Sequence, residues 1–170
     1  EDLRQRDQVT GLLNRPTFMV QVENAVAQAS RSEGRSGLLL VEPDHYARLL
    51  PDIGLDAADA LIASMAALLN ETVGSQAQLA RFGEHSFAVL LDGAFADTSA
   101  LAERIRSAYA AHVFSIGERS ATVTVSIGGV QVGEKIASIG QVLARATTCV
   151  QAAAELGNSV RIFDPAATDR

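Results

Sequence analysis

An α/β (α+β) domain, with helices flanking one central mixed and mostly antiparallel sheet, is the architecture this sequence predicts. Three observations predict it. Short apolar runs rich in residues that suit a pleated surface alternate with longer stretches whose apolar residues recur at helical spacing. Two of the runs, LARF and FAVLL, stand on either side of Gly83-Glu84-His85-Ser86, like the arms of a mid-chain hairpin. Finally, 170 residues that are 48% hydrophobic suffice for one domain with a sizeable core.

Glu1 to Val9 is charged and reads as a linker or N-terminal helix. Asn14 can cap a helix that has Pro16 in its first turn, and Phe18, Val22, Ala25, Val26 and Ala29 then recur on one face. Leu38-Leu39-Leu40-Val41 is a continuous apolar run, expected of a strand buried on both faces, and it ends in Glu42 and Asp44. Pro51 and Gly54 interrupt the chain beyond it. Asp56 is placed to cap a long helix to about Thr72, with Leu61, Met65, Leu68 and Leu69 inward. After the hairpin Leu79–Leu91, a helix is expected over Asp97–Ala111, with Leu101, Ile105 and Ala108 inside. Ala121–Val130 alternates like a strand. Ser138–Leu156 is helical and stopped by Gly157, and Val160–Phe163 closes the order α-β-α-β-β-α-β-α-β before Pro165.

Composition excludes several classes. The net charge is −6 and no Lys/Arg cluster exists, so non-specific nucleic-acid binding is set aside. A single cysteine, Cys149, allows no intramolecular disulfide and fits a reducing, cytoplasmic setting; on its helical stripe it reads as core. No stretch of the sequence approaches the roughly 20 apolar residues of a membrane span, so no direct membrane insertion is expected. The chain opens on Glu1 rather than Met, which points to a piece of a longer protein. His45 and His112 read as surface residues, and Arg81 as a brace for the hairpin.

Asp7-Gln8-Val9-Thr10-Gly11-Leu12-Leu13-Asn14-Arg15 together with Arg81-Phe82-Gly83-Glu84-His85-Ser86-Phe87 resembles the GGDEF family. The first stretch matches the signature DxLTGLxNR at all but one fixed position, and its distance to the hairpin motif is the family's. The resemblance runs to Val160-Arg161-Ile162-Phe163. It implies a nucleotidyl-cyclase-like sheet and, for intact members, condensation of two GTP into cyclic di-GMP with Mg²⁺ held by carboxylates.

The same resemblance implies that the chemistry is degenerate here. At the strand-end metal position stands Glu42, and Asp44 matches the second aspartate of that segment. In the hairpin, Gly83-Glu84-His85-Ser86-Phe87 stands for GGDEF. His85 replaces the catalytic carboxylate, and imidazole is a poor partner for Mg²⁺. Ser86 replaces a glutamate, and Glu84 replaces a glycine beside which phosphate would pass. Of the two guanine readers, Asp59 survives and Leu50 cannot hydrogen-bond. The phosphate-binding lysine position falls on Ala153 or Ala154, and the arginine position on Gly157 or Asn158. The inhibitory RxxD site maps onto Gly74 and Ala77 and is absent. Glu42, Asp44, Asp59 and Leu50 are therefore read as vestigial, with no metal, cofactor or catalytic residue expected. Solvated strand-end residues and an exposed turn remain the plain alternatives, and His85 with Glu42 falls short of a zinc site.

The resulting expectation is an inactive GGDEF domain over residues 10–164, with a linker over 165–170 leading toward an EAL domain. It would act as a regulatory or dimerisation module beside neighbouring sensor and EAL domains. The resemblance extends to dual GGDEF–EAL regulators, including those of type IV pili and twitching motility. Three other readings stay open. One is an active cyclase using Glu42, Asp44 and Glu84, with Mg²⁺ and GTP. The second is a GTP-binding sensor without turnover, and the third a structural spacer.

Overall fold

The computed structural model describes residues 3–136 and 138–165, with backbone alone for Leu3, Leu50 and Asp52. The expected linker beyond Pro165 lies outside the described residues. The helices are α1 (Arg15–Ser30), α2 (Tyr46–Val73), α3 (Phe95–Ala111) and α4 (Ile139–Leu156). The strands are β1 (Ser36–Pro43), β2 (Gln78–Arg81), β3 (Phe87–Asp92), β4 (Phe114–Ile116), β5 (Arg119–Ala121), β6 (Val125–Val132) and β7 (Val160–Phe163). The main sheet runs β2-β3-β1-β6-β7, antiparallel throughout except for the parallel pair β6–β7. The α+β architecture expected from the sequence is the one observed.

The middle of β1 is buried on both faces because helices cover both sides of the sheet. Leu39 and Val41 join a core with Leu61, Met65 and Leu69 of α2 and Leu101 and Ile105 of α3. Leu38 and Leu40 join a second core with Phe18 and Val22 of α1 and Val142 and Val150 of α4. Alternation along one strand thus feeds two cores, as a period of two requires. Backbone approach is closest where α4 crosses β6. A Cβ on Gly128 would lie 2.0 Å from the Val150 backbone nitrogen, so only glycine fits there.

Several boundaries differ from expectation. Residues 3–9 form a 3-10 turn at Leu3–Gln5 and then a hydrogen-bonded loop, not an α-helix. Helix α2 begins at Tyr46, ten residues before Asp56, and is broken at Gly54 (φ 77°). Pro51 therefore sits inside its first segment rather than in a loop. Asp97 is not where α3 starts; it accepts from the Ala94 N–H at 2.9 Å and caps the helix from its first turn. Tyr109, not Ala108, fills the core, with its hydroxyl donating to the Met65 carbonyl. Burial pushes that phenol well above its ordinary pKa. The predicted strand Ala121–Val130 is split: β5 pairs with β4 across Gly117-Glu118, and β6 belongs to the main sheet. Gly117 (φ 65°) supplies the positive φ that a two-residue hairpin needs.

Contrary to the sequence expectation, Ile53–Gln76 is long and apolar enough to cross a membrane. Its apolar face is occupied, however: Leu61, Met65 and Leu69 are at most 2% exposed against the sheet.

The DxLTGLxNR-like segment folds into a knot that positions the hairpin. Asp7 Oδ2 accepts from the Thr10 N–H (2.9 Å) and hydroxyl (2.8 Å), and Asp7 pairs with Arg81 at 3.3 Å. Gly11 (φ 76°) turns the chain, so that Leu13 N–H donates to the Leu79 carbonyl and the Leu13 carbonyl accepts from Arg81 N–H. The edge of β2 is thereby covered. Burial alone would raise the Asp7 pKa, but the Thr10 bonds and the Arg81 charge outweigh it and hold the carboxyl below its ordinary range.

Given this packing, Gly128→Ala should lower unfolding free energy by about 1–3 kcal/mol through overpacking, whereas Gly133→Ala, with open space around it, should be near neutral in urea titrations. Asp7 stabilises the fold fully above its unfolded pKa of about 4 and loses that contribution as pH falls through its lower folded value. Asp7→Asn should therefore cost about 1 kcal/mol at pH 7 and show a shallower loss of stability from pH 5 to 2 than the parent.

Candidate functional site

The sequence-predicted residues gather at one end of the sheet, where β1 finishes, the β2–β3 hairpin turns and β6 begins. Val41 pairs with Phe87 on one side and Ile127 on the other, and Glu42 pairs with Ser126. One further step of the β1–β3 register brings Glu42 level with Ser86. Glu42 is half-buried there.

The hairpin tip is tied by hydrogen bonds on both sides. Phe82 N–H (2.9 Å) and Gly83 N–H (3.3 Å) both donate to the Ser86 carbonyl. Arg81 braces it as expected, donating from Nε to the Glu84 carbonyl at 3.2 Å while gripping Asp7. Arg15 donates to the Phe82 carbonyl and lies 3.9 Å over the Phe82 ring. His85 is not a freely exposed turn residue. Its ring stacks on Tyr46, with centroids 4.4 Å apart and planes at 24°, and its Nδ1 is buried without a hydrogen-bond partner. Tyr46 is itself buried, which raises its phenol pKa; Arg81 opposes that shift, and the nearby Asp59 and Glu84 carboxylates add to it.

Asp44 is neither a solvated strand end nor a free metal ligand. Its Oδ2 accepts from the Thr124 hydroxyl and the Asn158 N–H, each at 2.7 Å, and its Oδ1 accepts from the Ser126 hydroxyl at 2.7 Å. The carboxylate ties the end of β1 to the start of β6 and to the α4–β7 turn. Asp59 lies exposed on α2, and the Leu50 side chain lies outside the described residues. On α4, Ala153 is buried and Ala154 exposed, so of these two positions only 154 could send a cation into solvent. Asn158 (φ 48°) accepts at its Oδ1 from Arg106 at 2.9 Å, and Arg106 is also paired with Glu103. Gly74 caps the end of α2 with φ 63°, and Ala77 is extended; neither offers a charge. Cys149 is buried on α4, and burial raises its thiol pKa. His45 and His112 are exposed.

Mg²⁺ takes hard oxygen ligands in octahedral array. At this end of the sheet Glu42 and Asp44 carry carboxylates, Asp44 with three internal donors on it, and the hairpin tip carries the His85 imidazole. Among the described residues, no three His, Cys, Asp or Glu side chains come together as a metal site. A cavity of about 650 Å³ lies at the opposite end of the sheet, lined by residues such as Arg35, Phe95, Gln131 and Asp164.

Sequence reasoning missed Tyr46, Thr124, Ser126 and Arg106. Thr124 and Ser126 stand two apart around the start of β6, a spacing visible in the sequence. The partnership of Tyr46 with His85 spans 39 residues (85 − 46) and left no local sign.

Residues 4–159 match the family model described as diguanylate cyclase, GGDEF domain. Diguanylate cyclase DgcP of Pseudomonas aeruginosa is 33% identical over 132 residues, 75% of this chain and 20% of that protein. Response regulator PleD of Caulobacter vibrioides is 31% identical over 130 residues, 75% of this chain and 29% of that protein. The chain therefore spans only a fifth to a third of these two relatives. Among solved structures, the FimX GGDEF domain from Pseudomonas aeruginosa superposes with TM-score 0.89 at 35% identity, covering 93% of this chain and 98% of that one. The DgcB GGDEF domain from Caulobacter crescentus, solved with c-di-GMP, shares the fold at TM-score 0.87 and 22% identity, covering 95% of this chain and 94% of that one. With the signature knot, the hairpin and the sheet all in the family's arrangement, the chain belongs to the GGDEF family of diguanylate cyclase domains.

Proposed function

We propose that this GGDEF domain does not condense GTP and serves cyclic di-GMP signalling as a regulatory and interaction module. It would act in the cytoplasm through the sensor and EAL domains flanking it and through pairing with a second copy. A role in a type IV pilus or twitching-motility regulator is the setting we favour. The observation that carries this reading is the state of the strand-end carboxylates and the tip. Asp44 accepts three internal hydrogen bonds, from Thr124, Ser126 and Asn158, and His85 packs on Tyr46 where a carboxylate would have to face a metal.

Two further features support it. Glu84 sets a negative charge at the tip, which opposes a polyphosphate. Neither Ala154 nor Asn158 supplies a cation to replace that charge balance, and Arg106, the guanidinium that reaches Asn158, is already paired with Glu103.

A second reading, an active cyclase with altered ligands, draws on two observations. Glu42, Asp44 and Glu84 carry carboxylates within the chain's motifs, and DgcP, 33% identical, is named a diguanylate cyclase. One assay separates the readings. Purified protein incubated with GTP and Mg²⁺ or Mn²⁺ should yield no cyclic di-GMP by chromatography; turnover that disappears in Glu42→Ala would establish the second reading. Calorimetric titration should likewise register no heat with millimolar GTP. Saturable heat without turnover would instead make the domain a nucleotide sensor.

A further inference from the structure

Residues 46–53 form a short helical piece with left-handed backbone at each end, His45 at φ 58° and Gly54 at φ 77°. Such points can absorb large backbone rotations and serve as hinges. Pro51 inside the piece contributes no N–H to its hydrogen bonding. Ala47, Arg48 and Pro51 are exposed, Leu49 and Ile53 are half-buried, and Tyr46 is the one buried side chain among those described.

Tyr46 is also where the piece meets the hairpin. The His85 ring lies on it at 4.4 Å, and with its buried Nδ1 lacking any hydrogen-bond partner, ring stacking is what seats that side chain. The tip is secured from its other side by Arg81, which holds the Glu84 carbonyl and Asp7. The charges around the contact are Arg81, Asp59 and Glu84.

We propose that the His85–Tyr46 stack is a clasp joining the hairpin tip to residues 46–53, so that the two hinge as one unit and a contact made on either is transmitted to the other. The clasp is a conformational device and holds whether or not nucleotide is turned over.

Peptide-resolved amide hydrogen exchange on the whole protein tests it. His85→Ala should speed exchange roughly three- to tenfold in both 82–86 and 46–53, the range expected for one aromatic stack. Exchange in 61–69, the core of α2, should stay unchanged. His85→Phe, which keeps an aromatic ring and removes the orphaned nitrogen, should restore slow exchange in both segments. Acceleration confined to 82–86, no acceleration at all, or equal acceleration in 61–69 would each overturn the clasp.

Discussion

Strand β1 has a hydrogen-bonded neighbour on each edge and helices over each face, and every other element takes its place from that constraint. No water reaches the middle of β1, so its residues must be apolar and its backbone fully paired. Both conditions are met only if β3 and β6 flank it and two helix pairs close over it. The glycine at 128 belongs to the same demand, because α4 reaches the second face only by coming into backbone contact with β6.

Where β1 leaves the core, its polar end must be satisfied too. Asp44 does this by accepting hydrogen bonds from three directions, which turns a carboxylate into a structural tie between β1, β6 and the α4–β7 turn. The N-terminal signature has a comparable role. Asp7, Thr10 and Gly11 shape a knot that covers the β2 edge and holds Arg81 against the hairpin tip. One end of the domain is thus tied together through hydrogen bonding.

Family membership by itself does not decide activity at this end of the sheet. A fold hosts chemistry only where specific groups present it. The shared architecture with the FimX domain extends over nearly the whole of both chains, whereas this chain spans a small share of DgcP and PleD.

The sequence by itself determined most of the element types, the two-faced burial of β1, the cap at Asn14, the β2–β3 hairpin and the family. Each of these is written in local periodicity or contiguous motif, and α1 buries all five residues expected of it. Only the tertiary structure decided what the charged residues do. Asp44 meets Asn158 across 114 positions and Arg81 meets Asp7 across 74, and no local pattern encodes such pairs. The same holds for the split of Ala121–Val130 into β5 and β6. Alternation looks identical in both strands, and the choice of partner is made by whichever edge is open nearby. The start of α2 was hidden for a related reason: Pro51 and Gly54 argue locally against a helix, and the burial of Tyr46 beneath His85 outweighs them.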